Sequence, residues 1–89
     1  MAWSVKFEKR AEKALDSLDP VIAKRMLRYI HERLLTRKDP RDLGIAMQGN
    51  EHAGNYRFRV GDYRFICSIN DEELIVVVVR LGHRREIYA

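Results

Sequence analysis

The chain has 89 residues, with 17 lysines and arginines against 13 aspartates and glutamates and a formal net charge of +4 at pH 7. Its hydrophobic share of 46% excludes a disordered chain, and its length suits one small domain that takes in residues 1–89. The modest basic excess is compatible with a nucleic acid or an acidic protein as partner and proves neither.

The sequence carries no sign of export or of membrane insertion. Its first residues, Met1–Ser4, lack the basic and then apolar run of a signal peptide, and the apolar run Leu74–Val79 is too short to span a bilayer. The single cysteine, Cys67, excludes an internal disulfide and is expected in the core. We therefore expect a soluble cytosolic protein.

The first third of the chain predicts one strand and two helices. Trp3–Phe7 alternates apolar and polar residues as a half-buried strand does, with its tryptophan in the core. Apolar residues then recur at helical spacing over Phe7–Leu18. Asp19 is a good N-cap, and Pro20 fits the first position of a second helix that should run to about Arg37. Because almost no loop separates them, the helices should form an antiparallel hairpin.

The remaining residues predict three antiparallel strands. Residues 38–54 are expected to form a loop, followed by strands near Asn55–Val60 and Tyr63–Ile69. An acidic turn then leads into the β-branched run Leu74–Val79, which must be buried on both faces as a central strand is. The predicted fold is α+β: an N-terminal strand, a helical hairpin and a three-stranded antiparallel meander. Its helices cover one face of the sheet, and the other face is basic and concave.

The two strands before that run place three arginines on one surface. Gly61 and Asp62 favour a tight turn, because glycine accepts a positive φ. With this turn Arg59 pairs with Arg64, and Arg57 also points away from the apolar side, since side chains alternate along a strand. Like charges directly opposite each other destabilise a sheet, so this pairing indicates an anionic ligand. The alternative is that carboxylates from a covering segment neutralise the arginines.

The end of the chain should return to this hairpin. The central strand is expected to pair with the second hairpin strand, so its exit should bring His83, Arg84 and Tyr88 to the arginine-bearing surface. Guanidinium groups bind phosphates bidentately, a tyrosine stacks on bases, and a histidine moves protons near neutral pH. Such a set suits cleavage of RNA without a metal, in which the ribose 2′-hydroxyl attacks the adjacent phosphorus. No motif for a cofactor or a metal ion occurs.

Two segments, Gly54–Arg64 and Gly82–Tyr88, carry the most specific part of a resemblance that spans essentially the whole chain. The sequence resembles the RelE toxins of bacterial and archaeal toxin–antitoxin pairs. The resemblance implies a toxin that enters the ribosomal A site and cuts the bound mRNA. It also implies a cognate antitoxin that wraps around the toxin and holds it inactive, in a complex that can bind its own promoter DNA through the antitoxin.

The resemblance also implies roles for single residues. Arg57 and Arg59 stand where relatives have basic residues, often lysines, at the scissile phosphate. Arg64 matches a hairpin arginine that contacts phosphate, and Arg84 matches the basic residue after the final strand. Tyr88 matches a near-terminal tyrosine that stacks on or orients the substrate.

The proton carrier is less clearly indicated, because arginine stays protonated in proteins and is a poor general base. Arg57 and Arg59 are therefore expected to act as electrostatic clamps. His83 becomes the best candidate for proton transfer, with Glu51 or His52 as weaker ones. Two other functions stay open. The related ParE toxins share this fold but poison DNA gyrase, and a non-catalytic basic module would bind RNA without cutting it.

Overall fold

A computed structural model describes residues 2–49 and 51–87. The helices and strands follow one another as β1 (Ser4–Phe7), α1 (Lys9–Ser17), α2 (Pro20–Tyr29), β2 (Ile45–Ala46), β3 (Tyr56–Val60), β4 (Tyr63–Asn70), β5 (Ile75–His83) and α3 (Arg84–Ile87). A π-helical turn, Ile30–Leu34, continues α2, and a short 3-10 helix, Pro40–Leu43, precedes β2.

The start of α2 follows the predicted rules. The Asp19 carboxylate accepts a hydrogen bond from the backbone N–H of Val21 at 2.9 Å, and Pro20 occupies the first turn of the helix. The helical segment ends at Leu34 instead of Arg37. Its last turn is wider than an α-helical one, because the N–H of Leu35 bonds to the carbonyl of Ile30.

The strands form one sheet in the order β1-β5-β4-β3-β2. The predicted meander of β3, β4 and β5 is confirmed, with both of its pairings antiparallel. β1 runs parallel to β5, so the β-branched strand lies inside the sheet as expected. The expectation that both of its faces are buried is wrong: Val76 and Val78 are buried, whereas Ile75, Val77 and Val79, on the face away from α1 and α2, are only half-buried. β2 pairs antiparallel with β3 inside the segment predicted to be a loop. A strand of two residues is too short to show an alternating pattern in the sequence.

The core lies between the helices and one face of the sheet. α1 contacts β5 and α2 contacts β3, so the two helices cover different parts of that face. The Phe58 and Phe65 rings stack with centroids 5.0 Å apart, and the Tyr29 ring meets Phe65 edge-on at 6.1 Å. Trp3 is only 8% exposed and Cys67 is fully buried, as predicted. Burial raises the pKa of the Cys67 thiol, so the side chain stays protonated and behaves as a small apolar core residue. Within the described part of the chain, no helix has the length and apolarity that crossing a membrane requires.

Gly44 links β2 to this core through close packing. A Cβ at this position would lie 2.7 Å from Cε2 of Phe58 and 3.2 Å from the carbonyl oxygen of Arg57. Only a residue without a side chain lets the segment before β2 approach the Phe58 ring this closely.

We expect Gly44→Ala to lower the free energy of unfolding by about 1–3 kcal/mol, because overpacking forces the Phe58 ring or the backbone of β3 to move. Urea denaturation measures the change. Gly82→Ala is the matched control, since a Cβ there would meet its nearest atom at an ordinary 3.7 Å. Equal stability of the two variants would contradict this account of Gly44.

Candidate functional site

The hairpin of β3 and β4 has the predicted register. Arg59 lies directly opposite Arg64, and Arg57 lies opposite Ile66. Gly61 has φ +60°, whereas Asp62 has no positive φ, which is the pattern of a type II′ turn. The turn therefore fixes which residues face the core and sets the arginines on the opposite surface.

Three guanidinium-bearing residues line one groove on this surface. Arg57, Arg59 and Arg64 share it with Leu43 and Ile45, and its volume is about 200 Å³. We call this the arginine groove. Ile45 pairs with Arg57 through the short strand β2, so the element that the sequence did not reveal forms one wall of the groove.

The arginines in the groove are held differently. Arg64 donates from Nη1 to the carbonyl oxygens of Gly61 at 2.9 Å and Tyr63 at 3.0 Å, which fixes its guanidinium beside the turn. Arg59 is exposed, and within residues 2–49 and 51–87 it forms no salt bridge to a carboxylate. The described residues therefore do not include a covering acidic segment that neutralises Arg59.

A different arginine, Arg41, is neutralised by carboxylates. Its Nη1 and Nη2 donate to the Asp71 carboxylate at 2.9 and 2.6 Å, and Nη1 also lies 3.2 Å from Asp39. Its guanidinium stands 5.6 Å from the centre of the Tyr56 ring. The hydrogen bond from Arg41 holds the pKa of Asp71 below its usual value. Sequence reasoning missed this cluster, because its partners are about 30 residues apart and no motif joins them.

The chain after β5 is anchored to the same hairpin. The backbone N–H of Arg84 donates to the carbonyl of Asp62 at 2.9 Å, so α3 begins beside the turn and exposes the Arg84 side chain there. Gly82 lies opposite Arg64 in the sheet, and Ile87 of α3 would meet a Cβ on Gly82 at 3.7 Å. α3 therefore packs on the arginine-bearing surface, next to the groove.

His83 was expected on this surface, and that placement is wrong. Its partner in the sheet is Tyr63, and the two rings meet edge-on at 5.3 Å, on the side of the sheet that faces α2. A β-bulge causes the change. Ile66 pairs with Arg80 and Cys67 with Val78, so Val79 is an extra residue.

The bulge reverses which residues of β5 face the core. Before it Val76 and Val78 are buried in the core, and after it Leu81 is. One extra residue therefore sends His83 to the core side. There its Nδ1 accepts a hydrogen bond from the N–H of Arg85 at 3.2 Å, as a helix cap does. A role in proton transfer stays a prediction.

Glu51 and His52 do not join the groove. Tyr88 lies outside the described residues. His52 lines a separate pocket of about 230 Å³ together with Glu51, Glu8 and Arg80. Its Nε2 is buried without a hydrogen-bond partner among the described residues, and Oε1 of Glu51 is 3.9 Å away. The described residues contain no group of three His, Cys, Asp or Glu side chains that could hold a metal ion.

Comparisons with known proteins agree with the fold. A family model described as the ParE toxin of type II toxin–antitoxin systems, parDE, matches residues 5–88. Toxin RelG of Mycobacterium tuberculosis is 32% identical over 88 residues, which cover 99% of this chain and 98% of RelG.

Two solved structures are similar over nearly the whole chain. A chain of the RelBE2 toxin–antitoxin complex of Mycobacterium tuberculosis is 30% identical with a TM-score of 0.83, covering 94% of this chain and 100% of that one. A chain of the RelE–RelB complex of Pyrococcus horikoshii is 32% identical with a TM-score of 0.73, covering 94% and 97%.

The fold and the matches together define a toxin of a type II toxin–antitoxin system. The chain belongs to the RelE/ParE superfamily of these toxins.

We expect Arg59→Leu to raise the free energy of unfolding by about 0.2–1 kcal/mol, because it removes the like charge opposite Arg64. Thermal or urea denaturation at low salt measures this gain. The part of this gain that comes from relieved charge repulsion should shrink in about 1 M salt, where the Debye length is about 3 Å. A less stable variant would mean that Arg59 is a structural residue.

Proposed function

We propose that this toxin is a ribosome-dependent endoribonuclease that cuts mRNA in the A site and so inhibits translation. The observation that supports it most is the arginine groove, in which Arg57, Arg59 and Arg64 converge on one surface while the backbone of Arg84 is tied to the hairpin turn. A concentration of guanidinium groups on one surface suits a ligand that brings several negative charges, as an RNA backbone does.

The proposed reaction is a transesterification. The 2′-oxygen of one nucleotide forms a bond to the adjacent phosphorus, and the bond from phosphorus to the 5′-oxygen of the next nucleotide breaks. A base takes the proton of the 2′-hydroxyl, and an acid gives a proton to the leaving 5′-oxygen. The products are a 2′,3′-cyclic phosphate and a 5′-hydroxyl, so no water or cofactor is consumed.

The arginines are proposed to stabilise charge in this reaction. Arg57, Arg59 and Arg64 hold the non-bridging oxygens, on which negative charge grows as the five-coordinate phosphorus forms. Arg84 adds a further cation at the turn end of the groove. Guanidinium groups already fixed by the hairpin, as Arg64 is by its bonds to two carbonyls, need little reorganisation when the charge develops.

Proton transfer and base stacking are assigned to the end of the chain. His83 stays our candidate for proton transfer, as an acid through Nε2, because Nδ1 accepts the bond from Arg85. Its ring lies on the side of the sheet that faces α2, so the RNA would have to pass around the hairpin turn to reach it. Tyr88 is proposed to stack on or orient a substrate base.

We also propose a cognate antitoxin of the RelB type as the partner that inhibits this toxin. The related chains from Mycobacterium tuberculosis and Pyrococcus horikoshii were both solved as toxin–antitoxin complexes. An acidic or amphipathic antitoxin segment would cover the arginine groove and neutralise it. The resulting complex would bind its own promoter DNA through the antitoxin.

A second candidate function is inhibition of DNA gyrase, which the match to the ParE family model favours. A gyrase inhibitor would bind a protein surface and leave transcripts intact. A non-catalytic module would bind RNA and leave it uncut. The products formed on ribosomes distinguish these functions.

We expect purified toxin to cut mRNA on programmed ribosomes within the A-site codon, leaving a 5′-hydroxyl on the downstream fragment. Primer extension locates the cut, and end-labelling with a kinase identifies the 5′-hydroxyl. An mRNA with a single 2′-deoxy nucleotide directly upstream of the cut should resist cleavage, because it lacks the attacking oxygen. Uncut mRNA together with inhibited supercoiling by gyrase would overturn the proposal.

We expect Arg84→Ala to slow cleavage by about 10²–10³, the usual effect of removing one group that stabilises transition-state charge. Arg85→Ala is the matched control, because Arg85 is also exposed in the same helix but follows the residue tied to the turn.

Tyr88→Ala should also abolish growth arrest while the protein stays folded. Full activity of Arg84→Ala and Tyr88→Ala would overturn the site assignment. In the same assay, an unchanged rate for His83→Gln would assign proton transfer to another group.

A further inference from the structure

We infer that a second groove, on the helix-covered side of the hairpin, binds phosphates of a single-stranded RNA backbone. This groove lies between α2 with its π-helical extension and the turn end of β3, and its volume is about 460 Å³. We call it the α2 cleft. Four guanidinium-bearing residues line it: Arg25, Arg28, Arg33 and Arg59.

The charge of the α2 cleft is strongly unbalanced. Glu32 is the carboxylate that lines it beside the four arginines. In the described part of the chain, none of these arginines forms a salt bridge to a carboxylate. Arg25 and Arg28 are exposed neighbours three apart on one helix, and like charges at this spacing destabilise a helix. An anion bound between them would remove that cost.

The cleft differs from an ordinary solvated helix face because the hairpin closes its other side. Arg59, Val60 and Gly61 of the hairpin line it opposite α2. A Cβ on Gly61 would lie only 3.0 Å from Nη1 of Arg25, so this guanidinium lies against the turn. Arginines of α2 and residues of the hairpin therefore line one concave space, and the α2 guanidinium groups there suit bidentate binding of a phosphate.

The α2 cleft and the arginine groove meet at the hairpin. Arg59 lines both of them. Gly61 has the Arg25 guanidinium against it and accepts a hydrogen bond from Arg64 at 2.9 Å, so the turn joins the cationic groups of the two grooves. An RNA strand held in the arginine groove can continue past the turn into the α2 cleft. That one RNA strand occupies both grooves rests on the proposed function, whereas the binding of RNA phosphates in the α2 cleft does not.

The volume of the cleft and its aromatic wall also suit a nucleotide. The cleft is open to solvent, and its volume of about 460 Å³ is large enough to accommodate a nucleotide. Tyr29 lines the cleft, with the Arg33 guanidinium 6.0 Å from its ring centre and its edge against Phe65. These contacts fix the ring, so the cleft is already formed without a ligand.

Binding of an uncleavable RNA tests this inference. The probe is a short, fluorescently labelled single-stranded RNA with 2′-O-methyl groups throughout, which cannot be cut through a 2′-hydroxyl. Fluorescence anisotropy gives its Kd between about 50 and 200 mM salt. The test variant is Arg25→Gln with Arg28→Gln. The control, Lys9→Gln with Lys13→Gln, removes the same charge from exposed positions on α1, which contacts the opposite part of the sheet.

We expect the α2 variant to weaken binding and to reduce the slope of log K against log salt by about 1.4, since each phosphate contact with a single strand contributes about 0.7. The α1 variant should keep most of the slope. Arg25→Lys with Arg28→Lys keeps the charge and should restore most of the slope. All the changed side chains are exposed, so the variants should fold.

Three results would overturn the inference. The first is an unchanged slope in the α2 variant, and the second is an equal loss in both glutamine variants, which would reflect net charge alone. The third is an α2 variant that binds RNA as before but binds poly-glutamate, a probe for an acidic protein segment, more weakly. A reduced slope in a toxin that does not cut mRNA on ribosomes would overturn only the proposed function. Efficient cleavage with an unchanged slope would overturn only this inference.

Discussion

The register of the β3–β4 hairpin is the constraint on which the rest of the structure depends. The type II′ turn at Gly61 and Asp62 aligns Phe58 with Phe65, and their stacked rings lie in the core. The same alignment sets Arg59 against Arg64 on the other surface. A slip of one residue would exchange the two faces, burying arginines and exposing phenylalanines. Burial of the two phenylalanine rings therefore keeps Arg59 and Arg64 opposite each other despite their like charges.

Two of the arginines in this toxin have contrasting surroundings. Arg41 is matched by Asp39 and Asp71 and lies over Tyr56, so it links the segment before β2 to the turn before β5. Its interactions are complete within the protein. Arg59 has an arginine for its cross-strand neighbour and lines two grooves. An arrangement that costs folding stability in this way is expected where the balancing charge comes from a ligand.

The hairpin turn is the point at which the chain brings its cationic elements together. The start of α3 is tied to it by the bond from Arg84 to Asp62, and Arg25 of α2 lies against Gly61. A toxin of this superfamily that acts on a ribosome would meet RNA on several sides at once. Two cationic grooves that meet at one turn would let a single strand contact both the sheet surface and the helix side.

The sequence by itself determined the features that follow from local rules: the cap at Asp19, the hairpin pairing around Gly61, and the interior position of β5 in the sheet. Turn chemistry and side-chain alternation act over a few residues and are visible in the chain. Only the tertiary structure decided the side on which His83 lies, because the bulge at Val79 reverses the alternation that the buried valines predict. The Arg41 cluster and the α2 cleft also depended on it, since each joins residues that are distant in the chain and that only packing brings together.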